Sequence, residues 1–478
     1  MPSRGRTQVL LVAAALGLLL LLTSGRYGYH RDELYFLEAG HHLAWGYPDQ
    51  PPLVPLLARL MSALVPDSVV ALRLPSTLAA MAVVVLAGAI ARQLGARSGG
   101  QALAAASTAA CGFVLAMGHL LSTATFDLLG WTLVSYLLVR VLQDGPGERP
   151  RLWLLAGVVA GVTMQANLLV GFLLAGFVAG VLLVGPRSRL ASPWPWVAAG
   201  LALVIAAPYL LWQASHGWPQ LDVARDIAAG GSGSSASRAS FLPLLLLEVG
   251  PFLLPIWLWG LVRLWRDRTL RCLVVTFGVL LVTFVASGAK PYYLAGLFPL
   301  LLAAGSQPLL DGVGRRWVAP VLLVLSAPAL VITLPLLPVS AVDPVIAINY
   351  DAGETIGWPA FVEQVATAYD TLPPGTAIVT ANYGQAGAVD RYGGDRGLPR
   401  AHSGHNGYAA WGHPAGTTPA LVVGVEPTLL RRSCAELRPL GRLTSPSDVD
   451  NDENGTLLSY CVPARSWAEL WPEFTHLG

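Results

Sequence analysis

The chain has 478 residues, of which 54% are hydrophobic and 12% are charged, and its mean hydropathy is +0.56. An average soluble domain has about a quarter of its residues charged, so this composition excludes a single soluble globular domain and indicates that lipid surrounds most of the chain. The net charge of +2, with no clustered basic surface, excludes a nucleic-acid-binding protein.

Charge divides the chain into two parts. Residues 1–340 contain 22 basic and 13 acidic residues, whereas residues 341–478 contain 8 basic and 15 acidic residues. The long apolar stretches also end near Ser340. We therefore predict a transmembrane domain over 1–340 and a soluble domain over 341–478.

Apolar stretches of the length needed to cross a bilayer, about 20 residues, recur along the first part. They cover roughly 8–24, 69–90, 102–118, 128–142, 152–167, 169–184, 195–212, 241–262, 272–288, 292–308 and 317–337. We predict an all-α polytopic membrane protein with about 11 transmembrane helices. The stretch 152–184 must then make two short passes that meet near Gln165 and Asn167.

Arginine placement predicts the orientation, because cytoplasmic loops are enriched in Lys and Arg. With a cytoplasmic N-terminus, the inside segments carry 15 of the 22 basic residues of the membrane part. This orientation makes the C-terminal domain extracytoplasmic and predicts a multi-pass protein of the plasma (inner) membrane.

The first outer loop contains the densest group of polar residues in the membrane part. Its residues 31–44 read as a helix, and Asp32 and Glu33 fall in the first turn, where the helix dipole favours acidic side chains. The plain alternative is an ordinary N-cap. Because ionisable residues beside a membrane are costly, Asp32 and Glu33 are our candidate catalytic residues.

A proline-rich turn follows in the same loop. Tyr47-Pro48-Asp49-Gln50-Pro51-Pro52 cannot be helix interior, because proline removes a donor and fixes φ, so it presents Asp49 and Gln50 as candidate substrate-binding residues. The amphipathic segment Leu53–Leu64 comes next and is expected to lie in the membrane interface.

Two later outer loops carry further candidates. His119 and Asp127 lie in the second outer loop, although an Asp at a helix start is usually a cap. Lys290, Tyr292 and Tyr293 precede the tenth span, and a cation with two tyrosines suits a lipid phosphate. An aromatic belt with a snorkelling lysine explains the same residues equally well.

The C-terminal part alternates short apolar runs with helical patterns. Trp358 to Leu372 reads as a helix, and Thr376 to Thr380, Ala420 to Val425 and Leu457 to Val462 read as strands, which together predict a small α/β domain.

Cys434 and Cys461 are the only cysteines of this C-terminal part. A disulfide between them is expected if the domain is extracytoplasmic, and free thiols are the alternative. The acidic stretch 448–453 lacks the spacing of a calcium loop, so no metal ligands and no cofactor are predicted, while a need for a divalent metal stays open.

The Asp-Glu pair after the first span, the proline-rich turn and the late Lys-Pro-Tyr-Tyr loop together resemble the GT-C glycosyltransferases. The pattern is most similar to their family 39, which includes protein O-mannosyltransferases and the bacterial lipid A aminoarabinose transferases. The likeness covers roughly residues 26–310, and the stretch from Ala381 to Gly412 also resembles the C-terminal domain of bacterial members.

The resemblance implies a polyprenyl-phosphate-linked sugar as donor, a cell-envelope acceptor (glycan, lipid or protein) and an outward-facing cavity. By position Asp32 matches the family's first-loop aspartate, a catalytic base or acceptor-orienting group, and Glu33 matches its neighbour. Gln50 stands where aminoarabinose transferases have a lysine, and Gln165-Ala166-Asn167 stands where many relatives have another. These departures shift the expected phosphate contact to Lys290 with Tyr292 and Tyr293.

The residues themselves, apart from the family resemblance, also support sugar transfer from a phosphate carrier. A cation near a departing phosphate lowers the barrier, and the acceptor hydroxyl needs a base within hydrogen-bond reach. Attack opposite the leaving group inverts the anomeric carbon. A transporter or lipid-linked-sugar flippase is the alternative function, although such proteins usually show paired halves with broken helices near the bilayer midplane.

Overall fold

The computed structural model describes residues 4–143, 149–231, 237–313 and 317–477. Its α-helices, in chain order, are α1 (Arg4–Thr23), α2 (Arg31–His41), α3 (Leu53–Leu64), α4 (Val69–Gln93), α5 (Ser98–Ala109), α6 (Gly112–His119), α7 (Thr123–Gln143), α8 (Pro150–Met164), α9 (Val170–Val184), α10 (Ser188–Ala191), α11 (Trp194–Ser215), α12 (Pro219–Ala229), α13 (Phe241–Val249), α14 (Leu254–Arg266), α15 (Arg271–Ser287), α16 (Phe298–Val313), α17 (Val318–Leu325), α18 (Pro328–Thr333), α19 (Asp343–Ile346), α20 (Trp358–Tyr369), α21 (Tyr383–Tyr392), α22 (Pro427–Ser433) and α23 (Trp467–Phe474). The strands are β1 (Ala377–Thr380), β2 (Ala401–Ser403), β3 (Ala420–Val423), β4 (Cys434–Arg442) and β5 (Leu457–Pro463). Shorter 3-10 segments include Pro291–Leu297 and Tyr350–Thr355.

The apolar helices of the structure are consistent with the predicted membrane protein. Within the described residues, 5 helices are long and apolar enough to cross a membrane, or up to 7 if each bent pair is one span. The bent pairs are α5 with α6, at 61°, and Phe241–Val249 with Pro251–Arg266, at 81°. The other predicted spans correspond to shorter apolar helices of 10–17 residues, so the count of about 11 stays a prediction.

The stretch 152–184 forms two helices, as predicted, and the break falls at 165–169 between α8 and α9. The rings of Trp153 and Phe177 lie 6.5 Å apart, so the two helices pack on each other. Each helix has 15 residues, which is short for a full crossing at 1.5 Å per residue.

The chain forms two compact units that differ from the division predicted at Ser340. The helical unit comprises Met1–Ser24, Arg73–Ala214 and Ile227–Leu334. The mixed unit comprises Gly25–Leu72, Ser215–Asp226 and Pro335–Gly478. The break at Pro335 lies close to the sequence boundary, but the sequence did not indicate that Gly25–Leu72 packs with the C-terminal part.

The mixed unit contains a five-stranded sheet of order β2-β1-β3-β5-β4. β1 is parallel to β2 and β3, and β5 runs antiparallel to β3 and β4. β3 is buried along its whole length, as expected of a central strand with both faces covered. The predicted helix and strands of the small α/β domain are present, whereas β2 and β4 were missed.

A disulfide joins Cys434 and Cys461, which resolves the question that the sequence left open. It links β4 to β5 beside a core that includes Val422, Trp467 and Trp471. The bridge therefore ties the edge strand β4 to its neighbour β5.

Candidate active site

Helix α2 begins with a capping arrangement that uses Glu33. The backbone N–H of His30 donates to Glu33 Oε2 at 2.8 Å, and the backbone N–H of Asp32 donates to His30 Nδ1 at 3.2 Å. Such reciprocal contacts satisfy N–H groups that a helix start leaves without partners. Glu33 is fully buried, so it contributes to the start of the helix, and its predicted catalytic role stays a prediction.

Asp32 differs from Glu33 in its exposure and in its partner. Its side chain is 43% exposed, and the hydroxyl of Tyr383 donates to Asp32 Oδ1 at 2.8 Å. The other oxygen, Oδ2, lies 3.9 Å from His30 Nδ1. Asp32 is therefore an accessible carboxylate whose orientation is set by a half-buried tyrosine.

Asp49 is held in the same manner by a second tyrosine. The hydroxyl of Tyr35 donates to Asp49 Oδ1 at 2.8 Å and accepts from the backbone N–H of Gly407 at 3.1 Å. The rings of Tyr35 and Tyr383 are stacked, with centroids 4.8 Å apart. Two carboxylates are thus presented by two adjacent tyrosines; we call Asp32, Asp49, Tyr35 and Tyr383 the paired-carboxylate site.

The environment of Asp49 changes its protonation. Burial raises the pKa of Asp49 to about 7, although the hydrogen bond from Tyr35 lowers it, and the charge of Asp32 raises it further. Desolvation disfavours the charged form of a carboxyl group, as does a neighbouring negative charge. Asp49 therefore changes protonation near neutral pH, as groups at functional sites often do.

The turn that carries Asp49 is fixed to the end of α2. The Tyr47 hydroxyl donates to the carbonyls of Ala39 at 2.8 Å and His42 at 3.1 Å, and the Tyr47 N–H donates to the Gln50 carbonyl at 3.0 Å. These contacts explain how a proline-rich segment returns Asp49 to the side of α2.

The side-chain amide of Gln50 is buried, and a buried amide is usually hydrogen-bonded. Gln50 is 3% exposed, and neither its Nε2 nor its Oε1 has a hydrogen-bond partner among the described residues. A buried polar group left without a partner costs about 1–3 kcal/mol. Such an amide, one residue after Asp49, is suited to bind a polar part of a ligand.

Arg31 connects the start of α2 to acidic groups of the C-terminal part. Its Nη1 lies 3.3 Å from Glu354 Oε2 and 3.3 Å from Asp452 Oδ2, and its guanidinium lies 5.2 Å from the centre of the Tyr383 ring. Burial raises the pKa of Glu354, and the charge of Arg31 opposes that effect. Arg31 thus contacts the Tyr383 ring while its charge is paired with Glu354 and Asp452.

Tyr383 opens α21, and this helix start is itself fixed by side chains. Asn382 is the N-cap and accepts from the Gln385 N–H at 2.8 Å, as short polar residues do at this position. Gln385 Nε2 donates in turn to the buried Glu453 Oε2 at 2.7 Å. The position of Tyr383 therefore depends on the C-terminal fold, not on its neighbours in sequence alone.

Sequence reasoning did not single out Tyr35 and Tyr383, and it identified no catalytic set in the C-terminal part. In the structure, the segment from Ala381 to Gly412 supplies both the Tyr383 hydroxyl that contacts Asp32 and the Gly407 N–H that contacts Tyr35. The available signal was the resemblance of this segment to bacterial GT-C members, which carried no residue roles.

The helical unit contains the remaining candidates, and several of them lie together. Asp127 is buried within α7, which begins at Thr123, so the interpretation of Asp127 as a helix cap is wrong. The segment Pro291–Leu297 packs on the same helix, where a Cβ on Gly296 would lie 2.5 Å from Trp131. Asp127 Oδ1 has no hydrogen-bond partner among the described residues.

Lys290 and the two tyrosines form a small cluster at that segment. Lys290 Nζ lies 5.9 Å from the centre of the Tyr292 ring, and the Tyr292 and Tyr293 rings meet edge to face at 5.1 Å. This arrangement fits both a phosphate contact and an aromatic belt, so the role of the three residues stays a prediction.

His119 has a partner that the sequence did not indicate. Its Nε2 lies 3.3 Å from Nη1 of Arg73, a fully buried arginine in α4 that also donates to the Ser24 carbonyl at 2.5 Å. His119 is thus part of a buried polar group at the ends of α1, α4 and α6. Its role in substrate binding stays a prediction.

Within the described residues, no group of three or more His, Cys, Asp or Glu side chains is arranged to hold a metal ion. The acidic groups around Arg31 pair with that arginine and with Tyr350 instead. A requirement for a divalent metal stays open.

Comparison with known proteins gives one family and several structures. The dolichyl-phosphate-mannose-protein mannosyltransferase family matches residues 49–212, roughly one third of the 478 residues. No curated protein matches the chain.

Two similar structures are those of ArnT from Cupriavidus metallidurans. In the apo state it matches with a TM-score of 0.60 and 14% identity over 95% of this chain and 97% of that chain. Bound to undecaprenyl phosphate it matches with a TM-score of 0.57 and 14% identity over the same shares, 95% and 97%. The Archaeoglobus fulgidus oligosaccharyltransferase, tethered with an acceptor peptide, matches with a TM-score of 0.52 and 12% identity over 82% of this chain and 63% of its own.

These structural matches show a fold, and the fold is that of the GT-C glycosyltransferases, so the predicted fold class is confirmed. The match to the mannosyltransferase family also confirms the predicted enzyme class, a glycosyltransferase. The resemblance first seen in the Asp-Glu pair and the proline-rich turn is therefore borne out at the level of fold and class.

Proposed function

We propose that this protein transfers a sugar from a polyprenyl-phosphate carrier to an acceptor outside the cytoplasm, with Asp32 as the general base. The observation that carries the proposal is the geometry of Asp32, an accessible carboxylate held at 2.8 Å by the Tyr383 hydroxyl. A base must be reachable by substrate and fixed in orientation, and Asp32 meets both conditions.

The reaction follows from these groups. Asp32 accepts the proton of the acceptor hydroxyl while that oxygen attacks the anomeric carbon of the donor. The bond from the anomeric carbon to the phosphate oxygen breaks, and the carrier phosphate leaves with the bonding electrons. Attack from the side opposite to the phosphate inverts the anomeric configuration.

Asp49 and Gln50 are proposed to bind the sugar. Asp49, whose pKa is about 7, can either donate or accept a hydrogen bond near neutral pH, and the Gln50 amide offers both a donor and an acceptor. Hydroxyl groups of a sugar have the same dual character. A neutral amide at position 50 is better suited to hydroxyls than to phosphate.

The carrier phosphate is assigned to Lys290 with Tyr292 and Tyr293, and His119 and Asp127 are proposed to contact substrate as well. A lipid-phosphate donor is supported by the family description, which names dolichyl phosphate mannose, and by the ArnT structure bound to undecaprenyl phosphate. A cation close to the departing phosphate would stabilise the charge that develops there.

An extracytoplasmic site is supported by two observations. The segments 25–72, 215–226 and 335–478 form one compact unit, which is possible only if the three segments emerge on the same side of the membrane. Cys434 and Cys461 form a disulfide in that unit, and disulfides persist in oxidising compartments outside the cytoplasm. Together with the arginine distribution, these observations favour a cytoplasmic N-terminus.

The test is transfer by purified protein from a panel of polyprenyl-phosphate sugars, comparing wild type with Asp32→Asn. The substitution keeps an oxygen that can accept from Tyr383 but removes the basic carboxylate, so we expect the transfer rate to fall by roughly 10²–10⁴-fold. Asp370→Asn, at an exposed helix end of the same unit, is the matched control. Full activity in a normally folded Asp32→Asn variant would exclude Asp32 as the base.

A further inference from the structure

A cavity of about 200 Å³ lies within the mixed unit, between α2, α3 and α21. Its walls include the apolar side chains of Leu34 and Leu37, and its polar groups come from Glu38, Asp67, Asp390 and Arg391, beside the ring of Tyr29. None of these residues belongs to the paired-carboxylate site.

The cavity and the paired-carboxylate site use opposite faces of α2. With 3.6 residues per turn, Asp32 and Tyr35 share one face of the helix. Leu34, Leu37, Glu38 and His41 follow the spacing i, i+3, i+4, i+7, and these four line the cavity. A ligand in the cavity is therefore separated from Asp32 by the body of the helix.

Two buried carboxylates, those of Glu38 and Asp390, line the cavity. The side chains of Glu38 and Asp390 are 9% and 6% exposed, and Arg400 bridges them. Asp390 also accepts from the Tyr408 hydroxyl at 3.1 Å and from the Ala401 N–H at 2.8 Å. These contacts keep both acids in fixed positions and compensate part of their charge, so they can accept hydrogen bonds from a neutral ligand.

The lining also combines an aromatic ring with a cation. The Arg391 guanidinium lies 5.6 Å from the centre of the Tyr29 ring, and its Nη2 lies 2.8 Å from Asp67 Oδ1. Arg391 is 27% exposed on its side chain and Asp67 is 73% exposed. This pair stands at the solvent side, where it can donate to and accept from hydroxyl groups.

The size of the cavity limits what can enter it. Its volume is about 200 Å³, which is room for several water molecules. Pockets for drug-sized ligands begin at about 300 Å³, which is larger. The space suits one six-membered ring with its substituents, so any further units of a glycan would lie outside the cavity.

We propose that this cavity binds a single pyranose unit of a glycan, at a site separate from the paired-carboxylate site. Fixed carboxylates and an arginine form hydrogen bonds with the hydroxyl groups of the ring, while Tyr29, Leu34 and Leu37 contact its C–H faces. A phosphate is disfavoured, because Glu38, Asp67 and Asp390 place three acidic groups on the lining against one lining arginine.

The test is equilibrium binding of methyl hexopyranosides to the full-length protein in nanodiscs, followed by ligand-observed NMR. Val65 lines the cavity and is 48% exposed, and Leu64 does not line it and is 65% exposed. Val65→Trp should fill the entrance and weaken binding by at least about tenfold, whereas Leu64→Trp should leave binding unchanged. Both positions are exposed, so neither substitution is expected to prevent folding.

The acyclic polyol sorbitol is the ligand control, because it carries hydroxyl groups without a ring and should not compete. Equal affinity of wild type and Val65→Trp, or no saturable binding of any pyranoside, would overturn the proposal. The measurement needs no donor and no transfer, so its failure would leave the role of Asp32 untouched, and loss of transfer in Asp32→Asn would leave the cavity untouched.

Discussion

Replacing Tyr35 by Phe should raise the pKa of Asp49 above its present value of about 7. The Tyr35 hydroxyl donates to Asp49 Oδ1 at 2.8 Å, and a donor stabilises the ionised carboxylate more than the neutral acid. A hydrogen bond to a charged group contributes about 1.5–3 kcal/mol, and one pKa unit equals about 1.36 kcal/mol. The pKa of Asp49 should therefore rise by roughly one to two units.

The pKa can be followed directly from the infrared carbonyl band of the protonated carboxyl group during a pH titration. Subtracting the spectrum of Asp49→Asn isolates the band of Asp49. In wild type the band should disappear as the pH rises through about 7, and in Tyr35→Phe it should persist to higher pH. If ionised Asp49 is needed for sugar binding, the rising limb of the transfer-rate profile should move in the same direction.

Tyr369→Phe is the control, since the Tyr369 hydroxyl donates to the backbone carbonyl of Thr376 at 2.8 Å and has no contact with the site. An Asp49 pKa that stays unchanged or falls in Tyr35→Phe would refute the argument that this hydroxyl supports the ionised form. Some loss of stability is expected in addition, because the Gly407 N–H loses its acceptor.

Three further changes have defined outcomes. Tyr383→Phe should lower kcat by roughly tenfold with little change in the donor KM, because one charge-assisted hydrogen bond that orients Asp32 is lost; an equal rise in KM would indicate a role in binding instead. Lys290→Ala should raise the apparent donor KM while Lys290→Arg retains most of the affinity, and an unchanged KM in Lys290→Ala would exclude a phosphate contact. Replacing Cys434 and Cys461 together by serine should destabilise the mixed unit by about 3.5 kcal/mol, as closure of a loop with a sequence separation of 27 implies; thermal unfolding that is identical with and without the bridge would contradict that value.

Local elements were predictable because their causes are local. The amphipathic segment Leu53–Leu64 became α3 with the same limits, and Asp32 and Glu33 fall in the first turn of α2. The expected helix over 31–44 ends at His41 instead, because His42 already has a non-helical backbone. Short strands such as β2 could not be predicted, because they depend on pairing with a strand elsewhere in the chain.

The site could be predicted only in part. The sequence indicated Asp32, Glu33, Asp49 and Gln50 as a group. Charged and polar residues beside an apolar span are energetically unfavourable there, so their presence suggests a function. It could not distinguish the buried, capping Glu33 from the accessible Asp32, since the two are adjacent and chemically alike. Burial and hydrogen-bond partners made that distinction.

The amino-acid sequence by itself determined that lipid surrounds most of this chain, because immersion in lipid depends on runs of apolar side chains. Tertiary structure decided the site, because the partner of Asp32 lies 351 residues away in the chain and the donor to the Tyr35 hydroxyl lies 372 residues away. A hydrogen bond acts over about 3 Å of space whatever the separation in sequence. No pattern of neighbouring residues indicates such a contact, which forms only because α2 packs against α21 in the folded chain.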